Sequence, residues 1–293
     1  MVRIIESLSE IATQYDAAFV DLWGCVHDGV RAHQSAIDAL VAFRKSSGKV
    51  VLLTNSPRPR AEVEKQLDEL GVPHEAWDTI ATSGDSARLA MFEGAVGTRV
   101  FHIGTPEEAP FFEPIHLLEN PAEIRTVPLD EAEGIVCTGP FDSTADPSVL
   151  RGELLYAKTK GMKLLCANPD IVVDRGHERE WCAGAVAKLY EEMGGTSLYF
   201  GKPHPPIYDL ARRRLVEVAP VSDDRILCIG DGPATDIRGA LGEGMDSLFI
   251  TGGLSLKETG TGEGPDGQPD PDRLEAHLSE EQVPATYAMG QLR

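Results

Sequence analysis

Short apolar runs recur along the chain and alternate with longer segments of mixed polarity. The strand-like runs occupy residues 17–23, 49–55, 99–104, 134–139, 163–169, 196–201, 225–231 and 246–250. Runs of this length that are rich in Val, Ile, Leu and Phe predict buried strands, and the longer segments between them predict helices. Because strands that alternate with helices are typical of a parallel sheet, the pattern predicts an α/β fold.

Helix signals are clearest in two segments of the first third. Residues 35–48 place apolar side chains at helical spacing, with Ser35 as the predicted N-cap and Gly48 at the C-terminal stop. Residues 59–71 open with proline and close with glycine, which is the usual asymmetry of helix termini. The chain therefore reads strand, helix, strand, helix up to residue 71.

The C-terminal fifth has a different character. Residues 251–272 are rich in Gly, Pro and acids, which predicts a surface loop. Residues 272–282 predict a short helix, and residues 283–293 form a tail that we expect to pack on the core.

The chain is strongly acidic. Its 293 residues carry 27 Lys and Arg against 47 Asp and Glu, a formal net charge of −20 at pH 7. This charge repels nucleic acid and anionic membranes, so we expect neither as a partner, and a phosphate ligand needs a locally positive pocket. No apolar run approaches the roughly 18 residues of a membrane span, and residues 1–15 lack the apolar core of a secretory signal. We therefore expect a cytoplasmic protein.

The five cysteines show no CxxC spacing. Cys137, Cys166 and Cys228 lie inside apolar strand-like runs, so we predict buried free thiols in a reducing compartment. Cys25 lies in a polar segment instead, and a reactive thiol is an open alternative at that position.

Four polar segments stand at the carboxyl ends of predicted strands, where parallel α/β sheets place their chemistry. They are FVDLWG at 19–24, LLTNS at 52–56, GKPHP at 201–205 and CIGDGPATD at 228–236. Taken singly, Asp21 or Asp231 is as well explained as a residue that forms the turn after a strand. Their occurrence together in this order is what points to an active site.

The order Asp, Thr-Asn, Gly-Lys-Pro, Gly-Asp-Gly resembles the haloacid dehalogenase superfamily. The details TNSPRP, ANPD and GKPHPPIYDLA are similar to its class IIA, which includes the NagD-type nucleotide and sugar phosphatases, and the resemblance covers about residues 15–253. It implies a Rossmann-like parallel sheet core over residues 1–83 and 197–293. It also implies an inserted α/β cap over residues 84–196.

The resemblance assigns a role in phosphoryl transfer to each aspartate. Asp21 is the implied nucleophile that forms an aspartyl-phosphate, and Asp231 helps it to hold Mg²⁺. The backbone carbonyl of Trp23 is a further implied metal ligand. Asp236 is expected to support the metal indirectly, and a helix cap is the alternative reading of that residue.

The other implied site residues recognise the phosphorylated substrate. Lys202 neutralises phosphate and orients the nucleophile, although a solvated lysine before a proline is the plain alternative. The Thr54 hydroxyl and the Asn55 backbone N–H donate to phosphoryl oxygens, unless they only cap a helix. Asn168 and Asp170 in the cap either contact substrate or shape a turn. Shortly after them come Arg175, His177 and Glu178. These three residues either face the pocket or belong to a charged loop in solvent.

The chain departs from the family pattern at Trp23. Phosphatases of this family carry a second aspartate two residues after the nucleophile, which protonates the leaving oxygen and later activates water, and an indole cannot exchange a proton at neutral pH. We therefore predict a preference for good leaving groups. His27 is the better candidate to replace the missing acid, with Asp28 second, and a loop histidine without a proton-transfer role is the alternative.

Three functions remain open from the residues alone. The first is a Mg²⁺-dependent hydrolase of a small phosphorylated molecule. The second is a protein that binds a phosphorylated ligand without turnover. The third is attack on a carbon–halogen bond, because family dehalogenases also lack that aspartate and a halide leaves without an acid. Caps in this class can pair, so a homodimer is a further expectation.

Overall fold

The computed structural model describes residues 2–115, 117–175, 178–264 and 266–293. In chain order, the strands are β1 (Arg3–Ile4), β2 (Ala17–Val20), β3 (Lys49–Thr54), β4 (Thr79–Thr82), β5 (Arg99–Ile103), β6 (Arg125–Thr126), β7 (Gly134–Cys137), β8 (Lys163–Cys166), β9 (Val172–Arg175), β10 (Glu178–Trp181), β11 (Thr196–Tyr199), β12 (Ile226–Gly230), β13 (Asp246–Ile250) and β14 (Tyr287–Met289). The helices are α1 (Gln34–Lys45), α2 (Arg60–Leu70), α3 (Ser83–Phe92), α4 (Arg151–Thr159), α5 (Ala183–Glu192), α6 (Pro205–Val218), α7 (Arg238–Glu243) and α8 (Pro271–Glu280).

The chain divides into two compact units. The core unit comprises Met1–Thr54, Glu64–Ala81 and Tyr208–Arg293, and the cap unit comprises Asn55–Val63 and Thr82–Ile207. Residues 55–63, 82–83 and 197–207, which the sequence analysis placed in the core, thus group with the cap unit. Within the described ranges, every helix is too short or too polar to cross a membrane.

A seven-stranded sheet in the order β1-β14-β13-β12-β2-β3-β4 forms the core unit. Each pair from β1 across to β3 is parallel. All residues of β2 and β12 are buried, which explains why these central strands read as continuous apolar runs. In their pairing Val20 lies opposite Ile229, so the carboxyl ends of the two strands are level.

Helix α1 begins two residues earlier than its N-cap signal indicated. His33 is the N-cap, so the prediction of Ser35 was wrong. Ile37 and Leu40, two of the residues whose spacing predicted the helix, are buried, and Val41 is half-buried. The helix ends at Lys45, and Gly48 lies in the turn that follows, where its N–H donates to the Phe43 carbonyl at 3.1 Å.

The segment 251–272 is not simply a surface loop, and that prediction was wrong for its first half. Thr251, Ser255, Thr259 and Thr261 are buried. Three of their hydroxyl groups satisfy one another: Thr261 donates to Thr251 at 2.7 Å, and Thr259 and Thr261 are 2.8 Å apart. Because these hydrogen bonds replace water, the polar side chains tolerate burial.

The C-terminal tail is part of the sheet. Its strand β14 lies between β1 and β13, which confirms that residues 283–293 pack on the core. The preceding helix α8 confirms the helix predicted over 272–282.

The cap unit contains a second parallel sheet in the order β11-β8-β7-β5-β6 and a separate antiparallel hairpin, β9 with β10. All four pairs of the sheet are parallel. Helices α4 and α5 bury Leu154, Val186 and Tyr190 in one apolar cluster with this sheet. The structure therefore confirms an α/β fold in both units.

Candidate active site

Asp21 and Asp231 follow two neighbouring central strands of the core unit. The Asp21 N–H donates to the Ile229 carbonyl at 2.8 Å, which extends the β2–β12 pairing by one residue and places both carboxylates at the same sheet edge. A carboxylate oxygen of each and the sulfur of Cys25 all lie within 4.8 Å of one another, and all three residues are buried. Two buried carboxylates this close repel each other unless a positive charge lies near them.

The backbones of two glycines pack closely against the Asp231 carboxylate, and a backbone N–H donates a hydrogen bond to it. A Cβ atom at Gly24 or at Gly253 would lie 2.0 Å from Asp231 Oδ2, so both loops come as close as only glycine permits. The Leu254 N–H donates to the same oxygen at 3.0 Å. The segment after β13 therefore orients this carboxylate, and sequence analysis missed it. Its signal is the Gly-Gly pair that follows an apolar strand.

The Asp236 carboxylate belongs to the turn after β12. It accepts the Gly232 N–H at 3.1 Å and the Thr235 hydroxyl at 3.3 Å. A Cβ at Gly230 would lie 2.1 Å from Asp236 Cγ, so the side chain also packs on the end of the strand. Asp236 is not part of the group formed by Asp21, Cys25 and Asp231 within the described residues. Its geometry suits a residue that shapes the loop which carries Asp231.

Trp23 packs on its own loop. Its indole covers Gly29, where a Cβ would lie 2.3 Å from Trp23 Cη2, and meets the His27 ring edge-on with centroids 5.3 Å apart. The Gly24 N–H donates to the His27 carbonyl at 2.9 Å and closes the loop. The ring at the position where the resemblance implies an aspartate thus stabilises the turn after Asp21.

His27 is buried completely beneath this loop. Its Nδ1 accepts the Gly29 N–H at 3.0 Å, and its Nε2 finds no hydrogen-bond partner in the part of the chain that the structure describes. Burial, together with His33 nearby, lowers the pKa of His27 to about 4. A neutral ring without access to solvent is a poor proton donor, so these surroundings argue against His27 as the substitute acid.

Asp28 is exposed, and its carboxylate is used locally. Its Oδ1 accepts the N–H groups of Val30 at 2.9 Å and Arg31 at 2.7 Å. This is a turn-forming arrangement, so Asp28 also gains no support as the acid.

Thr54 is a buried residue at the end of β3, which is the other neighbour of β2 in the sheet. The prediction placed it at the carboxyl end of a strand, and that is where it lies. Its proposed contact with a phosphoryl oxygen stays a prediction.

Lys202 and Asn55 lie together in the cap unit. Lys202 is only 2% exposed. The Asn55 side-chain amide pairs with its backbone: Oδ1 accepts the Lys202 N–H at 2.7 Å, and Nδ2 donates to the Lys202 carbonyl at 3.2 Å. Sequence analysis considered the backbone N–H of Asn55 and missed this side-chain role.

Asn168 and Asp170 shape the turn after β8, and Asp170 also contacts Asn55. The Asp170 N–H donates to Asn168 Oδ1 at 3.0 Å, and Asp170 Oδ1 accepts Asn55 Nδ2 at 2.8 Å. Arg175 and Glu178 are paired residues of the β9–β10 hairpin. His177 lies outside the described residues.

All five cysteines are buried and free, as predicted. Burial raises the pKa of the Cys137 thiol well above its ordinary value and also raises that of Cys166. These two thiols are therefore protonated and inert at neutral pH.

A parallel sheet with two buried aspartates at the ends of adjacent central strands is typical of an α/β hydrolase. Sequence models of known families identify which one. The model described as haloacid dehalogenase-like hydrolase matches residues 18–116, and a second one, for the HAD-like hydrolases, matches residues 199–278. A haloacid dehalogenase-like hydrolase from Brucella suis 1330 is 36% identical, with a TM-score of 0.83 over 99% of this chain and 100% of that chain. The chain therefore belongs to the haloacid dehalogenase-like hydrolases, in their NagD-like class IIA.

Two more distant relatives come from Mycobacterium tuberculosis. A D-glycerol 3-phosphate phosphatase is 26% identical over 255 residues, which are 85% of this chain and 66% of the relative's own length. A glycerol phosphate phosphatase solved in complex with magnesium is 25% identical, with a TM-score of 0.63 over 85% of this chain and 71% of that chain. The match to the first thus spans just under two thirds of that relative.

Proposed function

We propose that this chain is a Mg²⁺-dependent phosphatase that acts on a small phosphorylated molecule through Asp21. The observation that carries the proposal is the convergence of two buried carboxylates, Asp21 and Asp231, at the edge of the central strands. The relatives named as phosphatases, one of them solved with magnesium, support this substrate class and this metal.

The donor groups fit a divalent cation. Asp21 and Asp231 offer oxygen ligands, which Mg²⁺ prefers, and the Trp23 carbonyl is the further ligand that the family pattern implies. When bound, Mg²⁺ would neutralise negative charge on the phosphoryl oxygens and on the attacking carboxylate. Asp236 would act indirectly, because its carboxylate is committed to Gly232 and Thr235.

The chain's own residues account for the remaining steps. The Asp21 carboxylate attacks phosphorus, the bond to the leaving oxygen breaks, and water later hydrolyses the aspartyl-phosphate. Lys202 neutralises a phosphoryl oxygen, and the Thr54 hydroxyl and the Asn55 N–H donate to others. No group at position 23 protonates the leaving oxygen, since the indole there packs on Gly29 and His27.

The missing acid sets the expected substrate range. General acid help is worth about 10²–10⁴-fold, and an alkoxide leaving group needs it more than an aryloxide or acyl group. We therefore expect aryl and acyl phosphates to be cleaved much faster than alkyl phosphates such as glycerol 3-phosphate.

The experiment is hydrolysis of 4-nitrophenyl phosphate and of glycerol 3-phosphate by protein stripped with EDTA, before and after Mg²⁺ is added back. We expect Mg²⁺-dependent release of nitrophenol and far slower release of glycerol. Equal rates on both substrates would contradict the role given to position 23. Orthophosphate binding without any hydrolysis would instead favour a binding protein, and Mg²⁺-independent halide release from a haloacid would favour a dehalogenase.

The close approach of Gly253 to Asp231 makes a prediction about the metal. In Gly253→Ala the added Cβ would lie 2.0 Å from Asp231 Oδ2, so the carboxylate must shift. We expect the Mg²⁺ concentration for half-maximal nitrophenol release to rise about 10-fold or more, which is typical when support of a metal ligand is lost.

Gly242→Ala is the matched control for this change. Gly242 lies in α7, and a Cβ added there would meet no heavy atom of the described residues within 4 Å, so alanine enters open space and favours the helix. We expect an unchanged Mg²⁺ requirement. If Gly253→Ala behaved like this control, Asp231 would not be held by the backbone approach at Gly253.

A further inference from the structure

The side-chain amide of Asn55 forms two hydrogen bonds with the backbone of Lys202, as a neighbouring strand would. An amide that both accepts from the N–H and donates to the carbonyl of one residue fixes that residue's backbone in two directions. These two hydrogen bonds form an amide clasp on Lys202. Asn55 is itself 5% exposed, so water does not compete for the bonds. The Asn55 side chain therefore holds the backbone from which the Lys202 side chain projects.

Asp170 in turn holds Asn55. Its Oδ1 accepts Asn55 Nδ2 at 2.8 Å, the same nitrogen that donates to Lys202. An amide flip would turn an acceptor toward the Asp170 carboxylate and toward the Lys202 carbonyl, so Asp170 selects the orientation in which the amide clasp forms. Asn168 fixes Asp170 by accepting its N–H at 3.0 Å.

The packing around Gly201 is as close as glycine allows. A Cβ at Gly201 would lie 2.6 Å from Asn55 Oδ1, from Pro169 Cδ and from Ser83 Oγ. The residue before Lys202 therefore touches both Asn55 and the turn that carries Asp170. Since the flexible stem of Lys202 starts from this backbone, these contacts fix the point from which its ammonium group extends.

We propose that Asn55 is a positioning residue for Lys202 and that Asp170 acts through it. The inference rests on the proposed function, in which Lys202 neutralises a phosphoryl oxygen. It gives Asp170 a different role from a substrate contact: the carboxylate orients an amide, and the amide places a lysine.

The test compares Asp170→Ala with Asp170→Asn. Asparagine keeps an Oδ1 that accepts from Asn55, whereas alanine does not. We expect kcat/KM for 4-nitrophenyl phosphate with Mg²⁺ to fall about 10–100-fold in Asp170→Ala and in Asn55→Ala, and to change less than about 3-fold in Asp170→Asn. Asp142→Ala is the control, because that exposed carboxylate serves a local turn with Thr144.

A double-mutant cycle separates positioning from substrate contact. In a Lys202→Ala background we expect Asp170→Ala to cost less than about 2-fold more, because the residue through which it acts is gone. Full additivity, or an Asp170→Asn variant as impaired as Asp170→Ala, would overturn the proposal. Thermal melting shows whether the alanine variants have lost the fold. If they have, the activity of Asp170→Asn tests the proposal, since asparagine preserves the packing.

Failure of the proposed function gives a different result. If the wild type hydrolyses no phosphate ester, the same variants are compared by calorimetric titration with inorganic phosphate. Weaker phosphate binding in Asp170→Ala, restored in Asp170→Asn and absent from the Lys202→Ala background, supports the positioning role without turnover. Equal phosphate affinity in all variants overturns it.

Discussion

Replacing Asp21 by asparagine is expected to abolish nitrophenol release, by about 10⁴-fold or more, as loss of a catalytic nucleophile commonly does. The amide has nearly the same shape, so the hydrogen bond from the Asp21 N–H to Ile229 survives and the fold should not change. What is lost is the anionic oxygen that attacks phosphorus. Rapid-mix hydrolysis with Mg²⁺ makes the measurement: the wild type should show a burst of nitrophenol and then slow turnover, and the variant no burst.

Comparison with Asp231→Asn distinguishes the proposed role of nucleophile from the proposed role of metal ligand. Both aspartates lie in the same buried group, so both substitutions weaken metal binding. Raising the Mg²⁺ concentration should recover part of the activity of Asp231→Asn and none of that of Asp21→Asn. Denaturing mass spectrometry of the quenched wild type should find one phosphoryl group on the peptide that contains Asp21. A burst that persists in Asp21→Asn would show that another residue is the nucleophile.

Trp23→Asp is expected to create a faster phosphatase for poor leaving groups. The substitution restores the Asp-x-Asp-Gly order, and a carboxylic acid at this position can protonate an alkoxide as it leaves. Relative to Trp23→Asn, we expect kcat for glycerol 3-phosphate to rise about 10²-fold, the lower end of what general acids contribute. The gain on 4-nitrophenyl phosphate should be smaller, because nitrophenolate leaves with little help.

Trp23→Asn is the necessary control because both variants remove the same packing. Loss of the indole from Gly29 and His27 should destabilise each protein by about 1–3 kcal/mol, less than for a fully buried tryptophan. The loss of stability is common to both variants, so the difference between their kcat values reports proton donation. If they turn over glycerol 3-phosphate equally slowly, the absence of a carboxylic acid at position 23 does not account for slow cleavage of alkyl phosphates.

The loop that follows Asp21 packs Trp23 together with two of its neighbours. Gly29 has a positive φ of 82° and lies under the indole, and His27 supplies the acceptor for its N–H. Both residues are part of one packed unit with Trp23. The histidine that looked like a replacement acid is therefore a partner of the tryptophan in packing.

The strands and the two aspartates were predictable because each depends on local pattern. A strand buried on both faces must be apolar throughout, so β2 and β12 stand out, and a polar residue directly after such a strand lies at the carboxyl edge of the sheet. That Asp21 lies beside Asp231 depends in addition on the strand order, in which β12 is the neighbour of β2. The short strands β1 and β14 escaped prediction because two or three residues carry no period.

Only the tertiary structure decided the contacts between segments that are distant in the chain. The amide clasp of Asn55 on Lys202 joins residues 147 positions apart, and the backbone of Gly253 meets Asp231 from another strand end. The environment of His27 likewise depends on what covers it, since the same imidazole is a proton donor in water and a neutral packing group when buried. Sequence by itself determined which chemical groups stand at the sheet edge. Folding decided which of them are held, turned and shielded, because hydrogen-bond geometry and desolvation depend on neighbours that no local pattern specifies.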